Sequence, residues 1–167
     1  PRNREITFKN ALACSKITSG QPSFRRRRHG FAYSDAAVAL SDSTLLSELN
    51  CFLNSTTALT IMQALSPTLN FEVGQIRALP CKFGISNNWR EKELVSTSER
   101  DWDSFETSWD FQLFTLLDPN QGAEAGDLLE DAVSHLREYW NRVSEEQRQR
   151  EICNNELVAD AYGVRDD

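Results

Sequence analysis

The stretch from Leu45 to Leu65 constrains the fold more than any other, because Leu45, Leu46, Leu49, Phe52, Leu53, Leu59, Met62 and Leu65 recur at intervals of mostly three and four residues. That period puts them on one stripe of an α-helix, which must be buried against another element. Ser41-Asp42-Ser43 offers N-cap residues ahead of the helix, and Pro67 ends it. The preceding text has a different grain. Leu12, Cys14 and Ile17, then Phe24, then Phe31-Ala32-Tyr33, are short apolar groups separated by turn chemistry at Ser19-Gly20-Gln21-Pro22 and His29-Gly30. They read as short, hairpin-like strands. Leu69 to Val73 reads as extended, and a Gly-led helical turn then closes at Leu79-Pro80.

The second half reads as helical. Leu128, Ala132, Leu136, Tyr139, Trp140 and Val143 form one stripe of a helix spanning Asp127 to about Val143. Ser144 to Tyr162 either continues it or restarts at Ser144-Glu145-Glu146, and Gly163 is the expected C-cap. Asn87 to Val95 reads as another helix, with Ser98-Glu99-Arg100-Asp101 as a capping box opening a short turn. The acids Asp101, Asp103 and Glu106 then read as helix N-terminal carboxylates rather than metal ligands. Trp102, Phe105, Trp109 and Phe111 read as packing residues, the two tryptophans sharing a helical face by their seven-residue spacing. Asp118-Pro119-Asn120-Gln121-Gly122-Ala123 reads as a linker. The fold class is α+β: a small β-hairpin/α element over residues 1–80, followed by a mainly helical hairpin or bundle over 81–167.

At 167 residues and 40% hydrophobic, the chain can bury a core of its own. It begins at Pro1 and closes on Val164-Arg165-Asp166-Asp167, and so reads as a piece of a longer protein. No apolar run approaches the roughly 20 residues that span a bilayer, and the first residues do not form a signal peptide. A cytoplasmic chain without membrane contact is expected. Cys14, Cys51, Cys81 and Cys153 stand far apart, with His29 and His135 the only imidazoles, which argues against a metal site and for reduced, buried thiols. Asn54-Ser55-Thr56 matches a glycosylation acceptor but carries no weight without a secretory context.

Charge is divided unevenly. Residues 1–90 carry 11 Lys and Arg against 5 Asp and Glu, a net of +6, whereas residues 91–167 carry 7 against 20, a net of −13. The basic half could face nucleic acid. Its focus is Phe24-Arg25-Arg26-Arg27-Arg28-His29-Gly30-Phe31, where planar guanidinium forks suited to phosphate or guanine stand among aromatic residues. Arg25, Arg26, Arg27, Arg28 and His29 are therefore the candidate DNA-binding residues. A solvated loop, or arginines paired with the acidic half, is the structural alternative. His135 reads as a surface group. No lysine follows a Glu or Gln by two residues, as a metal-dependent nuclease core requires, and no local motif pairs a histidine with a nucleophile.

Three ordered segments resemble a known family. "SKITSGQPSFRRRRHGFAYS" with "CFLNSTTAL" and "LSPTLNFEVGQIRALP", then "RDWDSFETSWDF", then "NNELVADAYGV", are similar to the region after the catalytic domain in adenine-specific DNA methyltransferases of BREX-type phage-defence and related restriction–modification systems. The resemblance implies a target-recognition segment whose partners are double-stranded DNA and the neighbouring catalytic methyltransferase domain. It also implies a parent enzyme that uses S-adenosylmethionine. An adenine N6 methyltransferase needs an (Asn/Asp)-Pro-Pro-(Tyr/Phe) loop, and the nearest string here, Asp118-Pro119-Asn120-Gln121, lacks the second proline and the aromatic. No Gly-rich strand-to-helix turn suits a nucleotide-like cofactor. The segment is thus expected to be non-catalytic and to hold no cofactor or metal. A protein-interaction scaffold, docking a partner through the acidic helical half, is the alternative from another class.

Overall fold

The computed structural model describes residues 5–41, 44–66, 68, 70–85, 88–118 and 128–164. The element order is β1 (Ala11–Ser15), β2 (Arg25–Arg27), β3 (Ala37–Leu40), α1 (Leu46–Leu53), α2 (Thr56–Leu65), α3 (Val73–Arg77), α4 (Asn88–Asp103), a single 3₁₀ turn at Thr115–Leu117, and α5 (Leu129–Tyr162). A small antiparallel sheet followed by a mostly helical remainder is the α+β architecture expected. Asp42, Ser43, Pro67, Leu69, Asn87, Asp127 and most of the anticipated linker, Pro119 to Ala123, lie outside the described residues. Among those described, no helix is long and apolar enough to cross a membrane. The chain divides into two compact units, Pro1–Glu91 with Cys153–Asp167, and Lys92–Ile152.

In the first unit the sheet order is β2-β1-β3, both outer strands running antiparallel to β1. Cross-strand partners share a face. Leu12 pairs with Arg26 and Leu40, and Cys14 with Val38, so these side chains lie on one face, where Leu12, Cys14 and Val38 join the buried core. Arg25 and Arg27 pair with Ala13 and Ala11 on the other face. Phe31-Ala32-Tyr33, expected as a strand, instead belongs to the connection from β2 to β3. That segment is fastened by Phe8 N–H to Phe31 O (3.1 Å) and Gly30 N–H to Phe8 O (2.9 Å) rather than by a ladder.

Phe24, Leu46, Phe52, Leu53, Ala58, Met62, Phe71, Ile76, Leu79 and Val158 complete the core. The run expected as one helix is two. Ser55 breaks it with an extended backbone (φ −80°, ψ 152°) and caps α2, its Oγ accepting from Ala58 N–H at 3.2 Å. At the start of α1 the position before the helix is Leu45, which makes no side-chain cap. The last turns of α5 dock on α1 and α2: Asn154 Nδ2 donates to Cys51 O (2.9 Å), and Asn155 Oδ1 accepts from Thr56 N–H (3.0 Å). Gly163, at φ +65°, ends α5 as expected, with Gly163 N–H bonded to Asp160 O and Val164 N–H to Ala159 O. This is the paired pattern of a Schellman cap.

In the second unit, α4 and α5 are joined by polar contacts, Arg150 Nε to Glu93 Oε2 at 2.9 Å, Gln147 Nε2 to Ser98 Oγ at 3.3 Å, and Arg100 to the Tyr139 hydroxyl at 3.0 Å. The continuous course of α5 settles the open reading at Ser144 in favour of continuation. Ser98 to Asp101 does not open a turn, because with no Gly or Pro to interrupt it α4 runs on through Asp103. Asp101 and Asp103 are consequently at a helix C-terminus, where the macrodipole disfavours acids. The tryptophan expectation fails for the same reason. Trp102 lies in α4 and is 55% exposed, while Trp109 lies beyond its end and is 96% exposed. Phe105 is exposed too, and only Phe111 is half-buried.

Candidate nucleic-acid interface

Three of the four arginines, Arg25 to Arg27, form strand β2 rather than a solvated loop, and Arg28 follows it. β2 is the edge of the sheet, and period-2 alternation sends its three side chains to opposite faces. Charged side chains on an edge also discourage another chain from adding to it, so the location has a structural rationale of its own. Arg25 and Arg27 are exposed, and Arg27 sits with its Cζ 5.9 Å from the centre of the Phe31 ring. Arg28 and His29 follow as exposed residues in the turn that Gly30 completes at φ +100°, a value natural only for glycine.

Arg26 is placed differently. Its guanidinium Nη1 stands 3.5 Å from Glu91 Oε1, an ion pair without hydrogen-bond geometry, with the Arg26 side chain 28% and the Glu91 side chain 4% exposed. The same Glu91 oxygen accepts from Asn50 Nδ2 at 2.9 Å. Asn50 Oδ1 accepts from Asn54 Nδ2 at 2.9 Å, and the Asn54 amide clasps the backbone just ahead of β2. Its Oδ1 accepts from Phe24 N–H (2.9 Å) and its Nδ2 donates to Phe24 O (3.0 Å). A chain of polar contacts therefore runs from α4 through α1 to the arginine strand. It leaves no buried carboxylate unpaired, which a fold tolerates poorly. One arginine of the four is thus neutralised by the first acid of the acidic half, as the structural alternative supposed, while its neighbours on β2 face solvent.

Glu91, Asn50 and Asn54 were not among the residues singled out from the sequence. Asn54 enters there as a glycosylation acceptor and within the quoted CFLNSTTAL segment, with no role given to its side chain, and its amide is engaged in the clasp. Glu91 carries no local signal, since its role depends on a partner brought near by the fold.

Among the described residues no group of three His, Cys, Asp or Glu could hold a metal ion. A recess of about 160 Å³ is lined by Leu40, Leu49, Phe52, Leu53, Ile76 and Leu79, with Arg77 and Cys81. Burial and the nearby Glu48 carboxylate push the Cys81 thiol up, and burial raises Cys14 to about 11, so neither sulfur is an activated nucleophile. All four cysteines are free thiols, with Cys14 and Cys51 buried and Cys81 and Cys153 partly so. His135 is exposed on α5, as expected.

Sequence comparison supplies a class. Over nearly its whole length the chain is homologous to adenine-specific methyltransferases. It is 30% identical over 173 aligned residues to adenine-specific methyltransferase PglX of Lacticaseibacillus casei (strain Zhang), a match covering 99% of this chain and 14% of that protein. It is 27% identical over 124 residues to adenine-specific methyltransferase BrxX of Escherichia coli O9:H4 (strain HS), covering 70% of this chain and 10% of that protein. The chain therefore spans no more than 14% of the length of either relative. No family model matches it. The resemblance to adenine-specific methyltransferases holds at the level of homology.

Proposed function

We propose that this chain is the part of an adenine-specific DNA methyltransferase, within a phage-defence or restriction–modification system, that grips duplex DNA and positions it without performing chemistry. The observation that carries the reading is the division of β2, where Arg25 and Arg27 are presented to solvent on an edge strand while Arg26, Glu91, Asn50 and Asn54 fasten that strand to the helices behind it. Guanidinium forks on a fixed backbone can meet successive phosphates with little further ordering cost. Arg28 extends the cationic stretch, and His29 follows it with a ring that can hydrogen-bond to phosphate or base. Methyl transfer and S-adenosylmethionine binding belong, in this reading, to a neighbouring catalytic domain of the cytoplasmic parent. The absence of a Pro-Pro-aromatic loop and of a cofactor turn in this sequence supports that division of labour.

The test is duplex binding at low salt, followed by fluorescence anisotropy across a salt series. Each phosphate contact contributes about −0.9 to the slope of log affinity against log salt, so Arg25→Gln with Arg27→Gln flattens the slope by roughly two units. Arg26→Gln leaves it unchanged. A double variant with the slope and affinity of the parent chain would remove DNA positioning from this strand.

A second reading is favoured by a separate observation. Trp102, Phe105, Trp109, Phe114 and Leu117 are all more than half exposed, among the exposed acids Asp101, Glu106 and Asp110. Exposed rings in such density suit a protein-docking surface, whose affinity would survive salt. Because Trp109 makes no core contact, Trp109→Ala changes folding stability by less than about 0.5 kcal/mol in urea denaturation. A loss of about 3 kcal/mol, the scale of a buried ring, would show instead that this residue packs inside the fold.

A further inference from the structure

Phe8 is the one non-glycine residue with a positive φ among the described residues, at +65°, a conformation that a side chain bearing Cβ rarely adopts. The two backbone hydrogen bonds to the Gly30–Phe31 segment hold it there. Burial does not account for the arrangement, since Phe8 is 59% and Phe31 41% exposed. The fold thus joins the backbones of two aromatic residues by a hydrogen bond and leaves both side chains open to solvent. Arg27 stands over the Phe31 ring at 5.9 Å, and Arg25 lies on the same sheet face as Arg27.

We propose that Phe8 and Phe31 form a stacking surface for an unpaired DNA base, set beside the arginines that grip the backbone. The proposal rests on the DNA-positioning reading of β2 and adds a ligand to it. Charge complementarity selects the occupant, because rings bordered by guanidinium groups suit a polyanion whose bases are flat and apolar on their faces. Phenylalanine has no donor or acceptor with which to read a base edge, so the contact is tolerant of base identity. A base buried in an intact duplex has no free face, so the surface discriminates in favour of an interrupted helix.

The experiment compares two labelled duplexes of the same length, one fully paired and one with a single unpaired adenine at its centre, against the whole chain across a salt series. The parent chain binds the interrupted duplex on the order of tenfold more tightly. Phe8→Gly with Phe31→Ala binds both with the affinity of the paired probe and keeps the salt slope. Phe8→Gly removes the ring while giving the +65° conformation to a residue that adopts it freely, so the fold is kept. Phe31→Trp alone retains the preference. A parent chain without the preference, a phenylalanine variant that keeps it, or a variant weakened equally on both probes overturns the stacking surface. If the Arg25 and Arg27 substitutions weaken binding but the phenylalanine substitutions leave the ratio intact, only the stacking surface falls. If the arginine substitutions change nothing, DNA positioning by β2 falls and the stacking surface falls with it.

Discussion

Phe52→Ala is expected to lower stability by about 4 kcal/mol, the largest loss for a single substitution considered for this chain. Phe52 is almost wholly buried on α1 and lies stacked on the Tyr162 ring, centroids 5.5 Å apart and planes 11° from parallel. Tyr162 is in turn held in place: its hydroxyl donates to Pro80 O and accepts from Lys82 N–H (2.9 Å), and Lys82 Nζ rests 4.8 Å from its ring centre and donates to Ala161 O. Truncation therefore opens a cavity that a tethered tyrosine cannot relax to fill, and it also removes an aromatic pair worth about 1 kcal/mol. Urea unfolding checks this as a lower midpoint at unchanged slope. A loss below about 1 kcal/mol would mean that the end of α5 is not docked on α1 in solution.

The stripe from Leu45 to Leu65 was legible because burial of one helical face imposes its period directly on residue type. Its break is marked in the sequence only by the five residues that separate Leu53 from Leu59, with a capping serine among them. β2 was not legible as a strand, since four identical residues hide any alternation, and the difference between Arg26 and its neighbours arises from Glu91 on a distant element. Trp102 and Trp109 misled for a general reason. Residue type records what a side chain could bury, and the spacing argument holds only while the helix lasts, which is to Asp103. The Arg25 to His29 cluster was visible as charge. What fastens it, through Asn50, Asn54 and Glu91, required the fold.

Glu91→Ala is expected to cost about 2–3 kcal/mol, below the range for a fully buried ion pair because Arg26 keeps partial contact with water and the pair is long at 3.5 Å. The loss has two parts. Asn50 Nδ2 is left without its acceptor, and the Arg26 guanidinium is left half-buried without a counter-charge. Glu91→Gln separates them, since an amide oxygen can still accept from Asn50 while the charge is gone, and is expected to cost about 1 kcal/mol. A double-mutant cycle of Glu91→Gln with Arg26→Gln isolates the pairwise term, expected at about 1 kcal/mol of coupling. The same cycle decides how the arginine run divides. Coupling with an unaltered salt slope for DNA keeps Arg26 as the internal fastening of β2 and leaves Arg25 and Arg27 to face the phosphates. If Glu91→Ala instead costs less than about 0.5 kcal/mol, Arg26 is not held by Glu91. The charge of all three strand arginines would then be available to a ligand, and the fastened edge strand proposed here would have no anchor.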